Sequence, residues 1–187
     1  PDTQLIDATV LNNDISVVYT GINVKWGATG DVLIDGNTVT GSADGTGVFV
    51  STTTTGTVQV NDNVVTGASL GISVNGDRPP EYSPATIKDN IVSDGNNALN
   101  LTDGNYIITH NQLTGSGYKM QETGSVKTVY SGNTIDWTGL KGIRVSGTVF
   151  RDQTWSTSNS LGQPYVVTDD LTVNARLTIE AGTIVKM

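Results

Sequence analysis

Few side chains in this sequence combine type and spacing in a way that supports catalysis. Lys119 and Arg144 fall at matching places in two successive segments, Gly117-Tyr-Lys-Met120 and Gly142-Ile-Arg-Val145. If both segments are strands on neighbouring turns of a stacked fold, the two cations share an exposed face. There they would grip an acidic sugar or supply the base of a lyase. Glycoside hydrolysis instead needs two carboxylates about 5–10 Å apart. Asp94 and Asp103 flank Ala98-Leu-Asn-Leu101, and Asp169-Asp170 are adjacent further along. His110, the sole histidine, occupies a turn position shared with Gly36, Asp62, Asp89 and Gly132, and no nucleophilic triad assembles around it. The chain has no cysteine, which excludes disulfides, thiolate chemistry and Cys-based zinc sites. Asp35, Asp44, Asp62, Asp89, Asp94 and Asp103 give turns rich in the oxygen ligands that calcium prefers, although no D-x-D-x-D loop is formed. The chemistry therefore requires no cofactor and leaves calcium as an optional ligand. Asn100-Leu-Thr102 is a formal glycosylation sequon.

Charge narrows the partners. A formal net charge of -8 opposes binding to nucleic acid phosphates or an anionic membrane surface. No run of about 18 apolar residues is available to insert into a bilayer. The first residue is Pro1, with no charged-then-apolar leader, so either a signal has been removed or the chain is a piece of a longer one. An acidic, cysteine-free chain of this kind suits an extracellular or cell-surface setting.

The elements that must position these residues show in an internal repeat. Six segments read apolar-x-x-Asn-x-apolar, centred on Asn13, Asn37, Asn63, Asn90, Asn111 and Asn133, at intervals of 24, 26, 27, 21 and 22 residues. A second pattern keeps step with them: Gly21-Ile-Asn-Val24, Gly47-Val-Phe-Val50, Gly71-Ile-Ser-Val74, Ala98-Leu-Asn-Leu101, and the two segments bearing Lys119 and Arg144. Both patterns alternate apolar and polar residues, the period of a strand with one buried face. Ile22, Val24, Val48, Val50, Ile72, Val74, Leu99, Leu101, Ile143 and Val145 are expected to point inward, with their alternating neighbours exposed. The connections are Gly, Asp, Asn and Thr turns, with no amphipathic stretch for a helical crossover. Short strands, a period near 24 residues and no helix predict a solenoid whose coils stack about 4.8 Å apart. The asparagines are expected at a sharp corner, in the left-handed backbone that Asn tolerates, bonded amide to amide along the axis.

These segments resemble those of the right-handed parallel β-helix proteins of the pectin-lyase-like superfamily, in particular the parallel β-helix repeat type with I-x-x-N-x-I and G-I-x-V elements. The resemblance runs from Ala8 to Ser146. It implies an all-β, right-handed parallel β-helix of about six or more coils. That fold hosts polysaccharide lyases and hydrolases as well as surface proteins, so it does not by itself imply function. The lyases resembled place carboxylates for calcium beside their cations. None occurs at the outward positions Asn23, Phe49, Ser73, Asn100, Lys119 and Arg144, nor at Lys25, Ser51, Asn75, Thr102, Gln121 and Ser146.

From Gly147 the register changes, which divides the chain into a β-helix over 1–146 and a C-terminal β segment over 147–187, either a final cap or the start of a further β-helix. Thr154-Trp155, Leu171-Thr-Val173 and Leu177-Thr-Ile179 resemble the opening of a further β-helix, and Val185-Lys-Met187 breaks off within the pattern. The expected function is a non-enzymatic structural or adhesive module of a surface protein or fibre. Its partners are copies of itself or neighbouring modules, end to end. The alternative is a polysaccharide-binding or polysaccharide-cleaving domain that uses Lys119 and Arg144.

Overall fold

The computed structural model describes residues 7–25, 30–51, 56–76, 83–136 and 139–187. They form a parallel β-solenoid of about 7 turns, all-β, with no helix among the described residues. The first coil carries β1 (Ala8–Leu11), β2 (Asp14–Ser16) and β3 (Thr20–Lys25). The second carries β4 (Val32–Asp35), β5 (Thr38–Thr40) and β6 (Thr46–Ser51), and the third β7 (Val58–Asn61), β8 (Val64–Thr66) and β9 (Leu70–Asn75). Then follow β10 (Ala85–Lys88), β11 (Ile91–Gly95), β12 (Asn97–Thr109), β13 (Gln112–Gly115) and β14 (Met120–Ser131). The remaining strands are β15 (Thr134–Ile135), β16 (Ile143–Val149), β17 (Gln153–Trp155), β18 (Tyr165–Val173), β19 (Leu177–Ile179) and β20 (Val185–Lys186).

In the first three coils the last strand of one coil and the first of the next are separate. From β12 onward they fuse into one long bent strand, which is why the asparagine interval shortens from 27 to 21 residues there. One sheet runs β1-β4-β7-β10-β12-β14-β16-β18-β20, joined at β12 by β9, β6 and β3. A second runs β2-β5-β8-β11-β13-β15, and β17 pairs with β19. Every strand pair is parallel, and β16 crosses Gly147 within a single strand.

Register stacks like on like. Ile34, Val60, Ile87 and Ile108 form one inward column, Val39, Val65, Val92 and Leu113 a second, and Val48, Ile72, Leu99, Met120 and Ile143 a third, all fully buried. Each such side chain contributes about 1.5–3 kcal/mol through apolar burial. All ten residues expected inward are buried. Two outward neighbours depart from the alternation: Ser146 is 9% exposed, and Ser73 only 2%. Ser73 is small and lies in register between Phe49 and Asn100, and the Asn100 amide donates to its hydroxyl at 3.1 Å.

The asparagines form one continuous ladder. The Nδ2 of Asn13, Asn37, Asn63, Asn90 and Asn111 donates to the Oδ1 of the next in line at 2.9, 2.9, 3.0, 2.9 and 3.0 Å. The same Oδ1 accepts the backbone N–H of the preceding asparagine, so both lone pairs of each inner amide oxygen are used. Backward, the Nδ2 of Asn63 also donates to the carbonyl of Ile34 at 3.0 Å, and that of Asn90 to Val60 at 2.8 Å. The left-handed corner is not the asparagine itself, as the sequence suggested, but the residue before it. Asn12, Gly36, Asp62, Asp89, His110 and Gly132 have φ between 53° and 66°. Turning the chain one residue early leaves the asparagine's N–H and side chain both directed along the stack.

Glycine opens the third strand because space there is closed. A Cβ on Gly47 would lie 2.2 Å from Val65 Cγ1 and 2.7 Å from the Gly71 carbonyl oxygen, and Gly21 and Gly71 sit in the same way against Val39 and Val92. Gly47→Ala should therefore destabilise by about 2 kcal/mol through overpacking. Asn63→Ala should remove about 2–3 kcal/mol, because it leaves the buried N–H and Nδ2–H of Asn37 without their acceptor. Urea unfolding of both variants checks these values. An Asn63→Ala protein as stable as the parent would show that the ladder contributes nothing to the fold.

Candidate functional site

The face on which Lys119 and Arg144 were expected together is built otherwise. Arg144 is in register with Gln121, and Gln121 with Asn100. Lys119 precedes β14, at the corner position of Gly142 rather than that of Arg144. It is fully covered, and its Nζ donates to the Gly117 carbonyl at 2.9 Å. Burial pushes the ammonium pKa down, and the charge of Asp136 opposes that shift. Arg144 reaches the other way, with Nη2 2.6 Å from Asp169 Oδ2 and Nη1 3.4 Å from Gln121 Oε1. Its guanidinium holds the Asp169 carboxyl below the ordinary range. The slip is of two residues, and a two-residue slip leaves every side chain on its own face, so alternation alone does not detect it.

The other candidates are turn residues. Asp94 and Asp103 have φ of 64° and 38°, at separate corners. Asp103 Oδ1 accepts the Ser125 N–H at 2.7 Å. Asp169 and Asp170 lie where β18 carries extra residues, Val145 pairing with Val167 but Gly147 with Leu171. His110 lies against Gly132, where an added Cβ would meet its Cδ2 at 2.6 Å. Among the described residues no three His, Asp or Glu side chains are grouped to hold a metal.

The corrected register brings a different group together. Glu122 falls between Leu101 and Val145 in an otherwise apolar inward column and is only 6% exposed. Thr128 and Tyr130, farther along the same bent strand, are in register with the inward Tyr106 and Ile108. Three polar substitutions thus converge in one coil. Glu122 Oε1 accepts the hydroxyls of Thr128 at 2.9 Å and Tyr130 at 2.8 Å. Among the described residues no donor reaches Oε2, and Glu122 lines a cavity of about 150 Å3.

The coil beyond β16 closes that cavity. Trp155 stacks on Tyr165 with centroids 4.5 Å apart and rings 10° from parallel, and both rings are buried. Gln153, Thr154 and Asn159 complete the wall. The Ser125 hydroxyl accepts the N–H groups of Phe150 at 2.8 Å and Arg151 at 3.1 Å, which pins the turn into β17. A neighbouring cavity of about 180 Å3 shares Lys127, Asp152 and Gln153. Burial raises the Glu122 pKa to about 7, opposed by its two hydrogen bonds. Burial and the nearby Glu122 together raise the Tyr130 and Tyr165 hydroxyls above the ordinary phenol range. The result is a carboxyl group poised near neutrality, with one oxygen anchored and one turned to a small polar cavity. Its signal in the sequence was Glu122 nine-plus-two residues after Asn111: Ile22, Ile72, Leu99 and Met120 each follow their asparagine by nine residues, whereas Val48 and Ile143 of the same column follow theirs by eleven and ten.

The buried acid makes stability depend on pH. The unfolded chain releases this proton near the ordinary value of 4.5 and the folded chain near 7. Unfolding free energy should therefore fall by about 3 kcal/mol as pH rises from 4.5 through 7 and stay level above that, as far as this group is concerned. Glu122→Gln should abolish the slope in urea melts taken from pH 5 to 8. An unchanged slope would place the titrating group elsewhere.

No family model, curated protein or solved structure matches this chain. What the coordinates show is the architecture, a parallel β-solenoid of about 7 turns.

Proposed function

We propose that this chain is a structural module of an extracellular surface protein or fibre, of the pectin-lyase-like β-helix type, whose end coils are met by further coils of the same kind. The observation that carries the reading is the state of the core at its two ends. Ile34 and Val39 in the second coil are fully buried, whereas their first-coil counterparts Val10 and Ile15 are only half-buried; Ile22 and Val24 of that coil are buried, and Leu11, Val18 and Tyr19 are exposed. At the other end Leu177 and Val185 are half-buried, and Val173, Ile179 and Ile184 are exposed. Apolar surface of this extent at a solenoid terminus is the interface that an adjoining coil buries. A carbohydrate-active reading would draw on Lys119 and Arg144, but Lys119 is covered and Arg144 is engaged by Asp169.

Parallel pairing supplies a specific test. Ala8 and Asn12 direct their N–H groups to Asp31 and Asp35 of the next coil, so Thr9 between them directs its own outward. Thr9→Pro removes that outward donor and spares the bonds to β4. The parent chain should associate in sedimentation velocity as its concentration rises, and Thr9→Pro should weaken that association. Two results would overturn the proposal: a parent that stays monomeric with β1 amides protected from exchange, or measurable cleavage of an acidic polysaccharide.

A further inference from the structure

We propose that the cavity beside Glu122 binds a small primary ammonium group, with the Glu122 carboxylate as its counterion. This stands apart from the structural role and does not rest on it. Glu122 is more than nine-tenths buried, its Oε1 is committed to Thr128 and Tyr130, and no donor reaches Oε2 among the described residues. An acceptor of this strength in a polar cavity calls for a donor. Asn159, whose Nδ2 donates to the Thr154 carbonyl at 3.3 Å, lines the same cavity.

Size and charge select the ligand. A cavity of about 150 Å3 has room for a methylammonium-sized group. Trp155 and Tyr165 stack on each other, so neither offers that face to a sugar. An anion would meet Glu122 and Asp152. A divalent metal takes six or more oxygens as calcium, and no three-ligand acidic or histidine group is present among the described residues. The titratable groups facing the site are Tyr130 and Tyr165, both held neutral, together with Lys127 and Asp152 at its exposed rim. Lys127, Asp152 and Thr154 are all exposed, so solvent reaches the mouth. When Glu122 is protonated, binding displaces that proton to water. The ammonium keeps its own three protons, so charge and atoms balance.

The test is a titration of the whole chain with methylammonium chloride. Tetramethylammonium chloride and sodium chloride serve as controls at equal ionic strength. It is followed by the thermal midpoint and by the chemical shift of the Glu122 carboxyl carbon. Methylammonium should give a saturable rise in midpoint and move that resonance, and neither control should. Glu122 is about nine-tenths ionised at pH 8 and about one-tenth at pH 6, so the apparent affinity should be about tenfold weaker at pH 6. Glu122→Gln should abolish binding. Tyr130→Phe removes a hydrogen bond to the charged form, and should shift the pH midpoint of binding upward. A non-saturable response, equal responses to all three salts, a pH-independent affinity, or binding retained in Glu122→Gln would overturn the proposal.

Discussion

The interaction on which the rest of this solenoid depends is the amide-to-amide hydrogen bond between asparagines one coil apart. An unpaired buried amide is heavily penalised, and an asparagine offers two donors and two acceptor lone pairs that must all be met. In a column of identical side chains each residue meets the needs of the next, provided the coils keep strand spacing. The ladder therefore fixes the pitch at one corner of every coil from Asn13 to Asn133. Freedom remains elsewhere. Coil length varies by six residues without disturbing the column, because the difference is taken up where β3, β6 and β9 give way to the next coil or where later strands fuse.

That freedom is also what makes room for the Glu122 cavity. The fused strands β14 and β16 bend at glycines with positive φ, Gly124 at 79° and Gly147 at 85°, and β14 and β18 carry extra residues at the bends. Inside the bend the inward columns change character, with Glu122, Thr128 and Tyr130 in register with Leu101, Tyr106 and Ile108. A carboxyl group in such a place is tolerable because it is held by two hydroxyls and can keep its proton near neutrality. The ladder itself stops at Asn133, and one coil later Trp155 and Tyr165 fill the interior with stacked rings.

Much of the fold could be read from the residues, because the two patterns obey simple geometry. Columns such as Ile34-Val60-Ile87-Ile108 need only an apolar residue at a fixed offset from each asparagine. The site was legible only in part. Gly117-Tyr-Lys-Met120 satisfies the strand alternation as well as Met120-Gln-Glu122 does, and a choice between them requires the nine-residue distance from Asn111. Choosing the first left Glu122 past the aligned strand positions, opposite Gly147, and presented Lys119 as a surface cation. The left-handed corner was misplaced by one residue for a related reason: Asn, Gly and Asp all tolerate that backbone, and several stand side by side. His110 occupies it too, a position where composition gives no warning.

The ladder is also a vector. Every rung passes its N–H hydrogens from the lower-numbered coil to an oxygen on the higher-numbered one, so the amide dipoles add along the axis instead of cancelling. Its first member, Asn13, turns an oxygen to the exterior. Two such surfaces brought face to face would set oxygen against oxygen, whereas a coil added in the same sense along the axis keeps the dipoles aligned.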